Sequence, residues 1–433
     1  MHGGVLTLGC FRSTLIAARS LARAGYTVTA GVDRRSFLAY SRYIRHTWRH
    51  GHIHLNGALG RILVEYLAGH PEIQYIFPTG DSSTMLVANH YDQVRQFAVP
   101  VMPPPQVAMN CVNKSHAYTV AAVANVLTPP MRRTEGLGEL YGAAEEIGYP
   151  CIIKPNDSMG DFFGLKAIIC RSPSELHRRV PVWPWGDRPL LVQRFITGYR
   201  INCDVVAVNG RIMSFFQSRV RRTHRHDNTG LTVDAISVPP DPVVRDRCER
   251  IVAAFAYTGV ALIQFLRDGE DAEPVFLEIN PRLGAYVTFP YHLGYDYPLL
   301  AMYCADVLAG RQVAEPRWPQ AYPGGRQLHW LMGDVNGLME PEARVQLTFR
   351  DRCGWLWQIV RSACRRNVSM SWSLRDPLPT LWLGADFLLK PIRRRWRRLF
   401  RRPRWLLGRM RRLSSNAPYA TGEPAVRVDG SGN

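Results

Sequence analysis

A chain of 433 residues, 46% of them apolar, is long enough for two or three domains around a sizeable core. No apolar run approaches the roughly 18 residues of a membrane-spanning helix, and nine scattered cysteines with no Cys-x-x-Cys pair argue against structural zinc and a disulfide framework. The net charge of +19 is concentrated, because Lys390 and eleven arginines fall between 390 and 412 with no acidic residue, leaving +7 for the rest.

In chain order, Val5–Leu8 reads as a strand, Gly9 as a turn, Ser13–Ala24 as a helix ending at Gly25, and Tyr26–Ala30 as a second strand. Strand, helix and strand in so short a span is a βαβ unit and implies a parallel sheet. The opening residues lack the basic segment and long apolar stretch of a signal peptide, so the expected location is cytoplasmic. Tyr75–Pro78, the loop Thr79-Gly80-Asp81-Ser82-Ser83 and an apolar helix from Met85 repeat the theme. The proline-rich stretch Pro100–Pro105 marks a boundary, giving an N-terminal α/β domain over 1–105.

From 106 to 312 the pattern is α+β. Helices are expected at Ser115–Val126 and Leu137–Ile147. Strands are expected at Cys151–Lys154, Ala167–Cys170, Leu190–Gln193, Cys203–Val208, Ile212–Phe216, Gly259–Phe265 and Val275–Ile279. Asn209-Gly210 is a hairpin signal between two of them. Residues 313–380 form a Trp- and Pro-rich extension, 381–412 a basic amphipathic tail, and 413–433 a polar, disordered end.

Only four of the 54 basic residues are lysines, and Lys114, Lys154 and Lys166 fall within 53 residues of one another. A compact ammonium at a tight phosphate site is not replaced by arginine, so lysines kept in an arginine-rich chain point there. On a strand ending at Ile279, Glu278 and Asn280 share a face at period two. A carboxylate beside a carboxamide oxygen suits a hard cation such as Mg²⁺. Arg282 follows within reach of a phosphate. A turn around Gly269 would pair this strand with the one carrying Gln264, placing Gln264, Glu278 and Asn280 together.

Phe276-Leu-Glu-Ile-Asn-Pro-Arg282, preceded by Gln264, resembles the metal-binding segment of ATP-grasp enzymes. It is most similar to the carbamoyl-phosphate synthetase large-chain and carboxylate–amine ligase branch. The resemblance runs over residues 1–312 and implies an ATP-grasp fold of two subdomains clasping ATP. It implies Gln264, Glu278 and Asn280 as ligands of Mg²⁺ (or Mn²⁺), with Arg282 stabilising the transferring phosphate. Lys154, ending its strand, would contact the α and β phosphates as a catalytic and nucleotide-binding group. A closing loop with Ser158, Gly160 and Gly164 would cover the β and γ phosphates. That loop departs from the small, glycine-rich pattern of the family, since it carries Met159, Phe162 and Phe163. Lys114 resembles the first nucleotide lysine, before its helix, while Lys166 is left between a phosphate and a flanking role. Gln193 stands where the family often has glutamate, and Phe195 and Ile196 would line the base. Tyr199-Arg200 replaces the usual acidic residue after Gly198.

The resemblance implies an ADP-forming ligase. A small carboxylate would become an acyl-phosphate, and an amine or similar nucleophile would then attack it. The alternative is a catalytically atypical ATP-binding module recruited to a membrane surface or partner by its basic tail. Two features bear on substrate: the Thr79–Ser83 loop, and the loop with Arg219, Arg221, Arg222, His224, Arg225 and His226. The latter would hold an acidic substrate or the γ-phosphate, or be a solvated face. In the tail, Pro391 is placed to open a helix. Ile392, Trp396, Leu399 and Phe400 then share one face among arginines, which favours an anionic membrane surface over a protein partner. Nucleic acid is third, since no RNA or DNA motif accompanies the arginines.

Overall fold

The computed structural model describes residues 3–32, 36–50, 58–157, 165–183, 188–340, 347–365 and 367–399, with side chains as far as Leu389. Contacts divide the chain into a large unit, Met1–Trp382, and a second unit, Leu383–Asn433.

The large unit opens on a parallel sheet of β1 (Gly4–Leu8), β2 (Thr27–Val32), β3 (His46–Arg49), β4 (Ile73–Pro78) and β5 (Val99–Pro100), in the order β3-β2-β1-β4-β5. Every residue of β1 is buried, as a central parallel strand covered on both faces requires. Helix α1 (Arg12–Arg23) is the crossover, burying Leu15, Ile16, Ala18 and Leu21. Gly9 turns the chain from β1 into it at φ +126°, a conformation that favours glycine. The βαβ expectation holds. After β4 the helix starts earlier than its apolar pattern indicates. It spans Asp81–Asn89, so Asp81 lies in a first helical turn, where a carboxylate suits the helix dipole, and not in a loop.

A four-stranded antiparallel sheet follows, built from β6 (Met131–Thr134), β7 (Cys151–Pro155), β8 (Ile168–Cys170) and β9 (Leu190–Arg194), in the order β6-β9-β7-β8. The helix Leu137–Ile147, at the expected residues, buries Leu140, Ala144 and Ile147 with Ile153, Cys170 and Val192 in this sheet's own core.

The third sheet joins β10 (Tyr199–Val208), β11 (Arg211–Thr223), β12 (Thr232–Ser237), β13 (Gly259–Arg267), β14 (Val275–Asn280), β15 (Gln327–His329) and β16 (Val368–Ser369). Their order is β14-β13-β10-β11-β12-β15-β16. Asn209 and Gly210 both have positive φ, the tight-hairpin geometry expected of Asn-Gly. In the β13–β14 pair Gln264 lies directly opposite Glu278. The extension after 312 supplies β15 and β16 and then anchors to α1. Arg19 donates from Nε to Asp376 Oδ2 at 2.9 Å and from its terminal nitrogens to the carbonyls of Ser371 and Asp376. Both partners are nearly fully buried, so losing either would cost about 3–5 kcal/mol.

Arg219, Arg221 and Arg222, expected in a loop, belong to β11. Arg219 pairs with Glu270, and Arg222 pairs with Asp334 and Asp234. The tail also differs from expectation. One helix covers Leu378–Leu399, so Pro391 sits inside it and does not open it. Phe400 and everything after it lie outside the described residues.

Candidate active site

A cavity of about 460 Å³ is lined from one side by β7 and β9 and from the other by β13 and β14, with residues of the parallel sheet's loops at its wall. Lys114, Lys154, Gln193, Phe195, Ile196, Gln264, Glu278, Asn280 and Arg282 all line it. The structure thus brings together residues that the sequence spreads over 169 positions, from 114 to 282. Ser158, Gly160 and Gly164 lie outside the described residues, as do Met159, Phe162 and Phe163.

Strand alternation sets Lys154. Cys151 and Ile153 of β7 enter the core, while Ile152 and Lys154 face the cavity. Lys154 Nζ donates to the Tyr118 hydroxyl at 2.9 Å, and that hydroxyl donates to the Leu277 carbonyl at 2.6 Å. Lys114 is the first residue of the helix Lys114–Val123, not the residue before it, and Asn113 caps that helix by accepting from the His116 N–H. Burial lowers both lysines to about 8, partly opposed by the Glu278 charge. Two ammonium groups are therefore held in a poorly solvated cleft, where a phosphate would restore their charge.

Glu278 is the carboxylate between them. Burial works to raise its pKa but is outweighed by Lys114, the Asn280 hydrogen bond, Lys154 and Arg200, which hold it below the usual carboxylate range. Asn280 Nδ2 donates to Glu278 Oε1 at 3.0 Å. Gln264, which lines the cavity, donates from Nε2 to Asn202 Oδ1 at 2.5 Å, so its Oε1 remains an acceptor. An ionised carboxylate with two amide oxygens is a donor set that fits a hard divalent cation. It holds one acidic residue only, and no cluster of three or more His, Cys, Asp or Glu suited to a metal occurs among the described residues.

Arg282 is aimed by a residue 201 positions away. Its Nε and one terminal nitrogen donate to the two carboxylate oxygens of Asp81 at 2.7 and 2.8 Å, and the same terminal nitrogen donates to Asn280 Oδ1 at 3.0 Å. Burial opposes both charges, but the pairing prevails: Asp81 is held low and Arg282 high. Lys166 and Lys114 also lower Asp81. Asp81, expected in a substrate-facing loop, is the partner of Arg282.

The other end of the cavity is apolar, with Ile152, Ile169, Phe195, Ile196 and Leu266 in its wall. Gln193, 2% exposed, has a side-chain nitrogen with no hydrogen-bond partner among the described residues. An apolar slot with one unsatisfied amide fits a planar heterocycle. Arg200 is committed to the backbone, donating to the carbonyls of Gly230 at 3.1 Å and Asn228 at 2.5 Å. Of the six cationic residues read as one loop, His226 alone lines the cavity. Arg12, which sequence reasoning passed over, lines it too. Its position just beyond β1, at the carboxyl edge of a parallel sheet, was the available signal.

Two sheets enclosing a cleft with paired lysines, an apolar slot and an acid–amide trio define a nucleotide clamp. Residues 111–286 match the family model for the ATP-grasp domain, and the chain carries an ATP-grasp domain. Curated relatives include the mitochondrial carbamoyl-phosphate synthase [ammonia] of Mus musculus, 27% identical over 45% of this chain and 13% of that one. The carbamoyl phosphate synthase large chain of Ralstonia nicotianae is 30% identical over 43% of this chain and 18% of that one. The chain thus spans under a fifth of either relative. Among solved structures, an L-amino acid ligase from Bacillus licheniformis superposes with a TM-score of 0.56 at 14% identity, covering 71% of this chain and 74% of that one. A biotin carboxylase from Campylobacter jejuni gives 0.55 at 17% identity, covering 72% of each. At such identities the likeness is one of fold.

Proposed function

We propose that this chain is an ADP-forming ligase that uses ATP with Mg²⁺ (or Mn²⁺) to activate a small carboxylate for attack by an amine. The observation that carries this reading is the convergence of Lys114, Lys154, Glu278 and the Asp81-braced Arg282 on one cleft. A carboxylate oxygen attacks the γ-phosphorus as the bond to the ADP oxygen breaks, giving an acyl-phosphate. The amine nitrogen then attacks the acyl carbon, phosphate leaves with the bonding pair, and the amine gives up a proton. Gln264, Glu278 and Asn280 would hold the cation, which neutralises phosphate charge when bound. Lys114 and Lys154 position the phosphates, and Arg282 meets the charge developing on the transferring group. No covalent protein nucleophile is required. The relatives named for carbamoyl phosphate synthesis and amino-acid ligation support the reaction class.

The test is ADP release across a panel of amino acids and small carboxylates, for the native chain and for Glu278→Ala. We expect substrate-dependent release that requires Mg²⁺ and falls by at least about 100-fold in the variant, the cost of removing one charged partner from preorganised phosphoryl-transfer machinery. Release indifferent to Mg²⁺ and to Glu278 would sink the assignment.

A second reading adds an anionic membrane surface. It is favoured by the helix Phe349–Ala363, whose Phe349, Leu356, Trp357 and Val360 are 82%, 52%, 59% and 53% exposed among Arg350, Arg352 and Arg361. Separately, the second unit carries the arginine-rich sequence after Lys390. No described helix is long and apolar enough to cross a membrane, so the association would be peripheral.

A further inference from the structure

Arg12 is a charge the nucleotide machinery does not use. It begins α1, directly after the Gly9 turn, and Asp81 begins the helix after β4, the strand paired with β1. Both therefore stand at the carboxyl edge of the same parallel sheet, and both line the cavity. Their situations differ. Asp81 is bound to Arg282. The Arg12 guanidinium makes no hydrogen bond or ion pair to any described residue, and its Nε is buried without a partner. Burial pulls its pKa down to about 10, and no carboxylate among the described residues offsets that.

The group is nevertheless held in place. Its guanidinium carbon lies 3.5 Å from the centroid of the Trp330 ring. A guanidinium over an indole is held by cation–π attraction, while its N–H groups can still donate. The carboxylates nearby are engaged elsewhere: Asp81 with Arg282, Glu340 with His224 and Arg225, and Asp227 with Arg225. Burial first, then Arg225, Lys166 and Arg12, hold His224 below its ordinary value. Arg282 is paired with Asp81, whereas Arg200 is held through its terminal nitrogens by the carbonyls of Gly230 and Asn228, its Nε being buried without a partner among the described residues. A cation held over a ring, its Nε buried and unpartnered among the described residues, lacks an anion. The fork geometry matches a carboxylate bidentately.

We propose that Arg12, presented by Trp330, docks a carboxylate that is not itself activated. One of the two small substrates would then carry a spectator carboxylate: an amino acid serving as the amine, or a dicarboxylic acid serving as the acyl donor. The anion site stands on Arg12 and Trp330 alone. Its assignment to a substrate rests on the ligase reading above.

Calorimetric titration of the full chain, saturated with Mg²⁺ and a non-hydrolysable ATP analogue, separates the two. The probes are amino acids against their carboxamides, and dicarboxylic acids against their monoamides, with ADP release measured in parallel. The native chain should bind at least one acid more tightly than its amide. Arg12→Leu should weaken that acid about 10- to 100-fold, the span of a charge-assisted hydrogen-bonded pair, and leave the amide and the nucleotide analogue unchanged. Arg12→Lys, which keeps the charge without the fork, should recover part of the loss and controls for folding. Which acid series responds identifies the substrate. Equal binding of acid and amide by the native chain would overturn the proposal, as would undiminished acid binding by Arg12→Leu. A parallel loss of nucleotide binding would overturn it too, since Arg12 would then serve the nucleotide or the fold. Arg12-dependent acid binding without any ADP release would leave the anion site standing and remove the ligase reading.

Discussion

Replacing Asp81 with asparagine tests how the cleft aims Arg282. The side chain keeps its shape and one acceptor oxygen, but its charge is lost. In the native chain two charge-assisted bonds, at 2.7 and 2.8 Å, join side chains only 18% and 15% exposed. A pair this enclosed falls between an exposed ion pair, worth about 0–1 kcal/mol, and a buried one, whose breaking costs about 3–5 kcal/mol. We take about 2 kcal/mol for the stability lost, or roughly 2–3 °C in Tm for a unit of this size. The larger effect should fall on turnover. Arg282 keeps its bond to Asn280 but loses the bidentate brace that fixes its plane. A cation free to swing meets the transferring phosphate in fewer configurations, and removal of comparable preorganised donors costs about 100-fold or more in kcat. Nucleotide affinity should stay within about threefold, because Lys114 and Lys154 keep their positions and Asp81 is the weakest of the charges acting on Lys114, after Glu278, Lys154 and Asp157. Calorimetry with an ATP analogue, alongside ADP release, reads the split. Loss of nucleotide affinity equal to the loss in turnover would refute the argument, since Arg282 would then be an ordinary ground-state contact. An unchanged kcat would refute it from the other side.

Two further outcomes follow from the same structure. With Lys114 and Lys154 lowered to about 8 in the empty cleft, polyphosphate favours their charged forms. Binding should therefore take up protons near pH 8 and little below pH 7, and affinity should weaken above pH 8 by up to about tenfold per pH unit for each lysine. Titrations in two buffers of different ionisation enthalpy at pH 8.5 measure the uptake, and none detected would refute the pairing of discharged lysines with phosphate in this cleft. For the peripheral reading, flotation should recover the full chain with vesicles containing anionic lipid and not with neutral ones. Each arginine near the surface adds about 1 kcal/mol at low salt, and Phe349→Ser with Trp357→Ser should reduce recovery. Equal recovery on neutral vesicles would remove electrostatics from that account.

What could be read from the sequence was local. Glu278 and Asn280 are two residues apart on one strand, and Gln264 faces them across a single hairpin, so alternation and one turn suffice to place all three. Lys154 at a strand end and Asn209-Gly210 in a turn are legible for the same reason. Strand β12, Thr-Val-Asp-Ala-Ile-Ser, escaped because Asp234 breaks its apolar pattern, and the explanation lies elsewhere in the chain, in Arg222 and Gln327. Arg19 and Asp376 are 357 residues apart and carry no mutual sign in one sequence. Asp81 and Arg282 belong with that pair. The sequence points to Asp81 as a loop residue facing substrate and to Arg282 as a phosphate contact, yet nothing in it joins them. Strand alternation and one hairpin bring Gln264, Glu278 and Asn280 together, whereas Arg282 is held by a carboxylate from the helix that follows β4. Under the proposed ligase reading, a tether of that kind would let the parallel-sheet region influence turnover without touching the nucleotide, and the Asp81→Asn split between kcat and affinity would expose that influence.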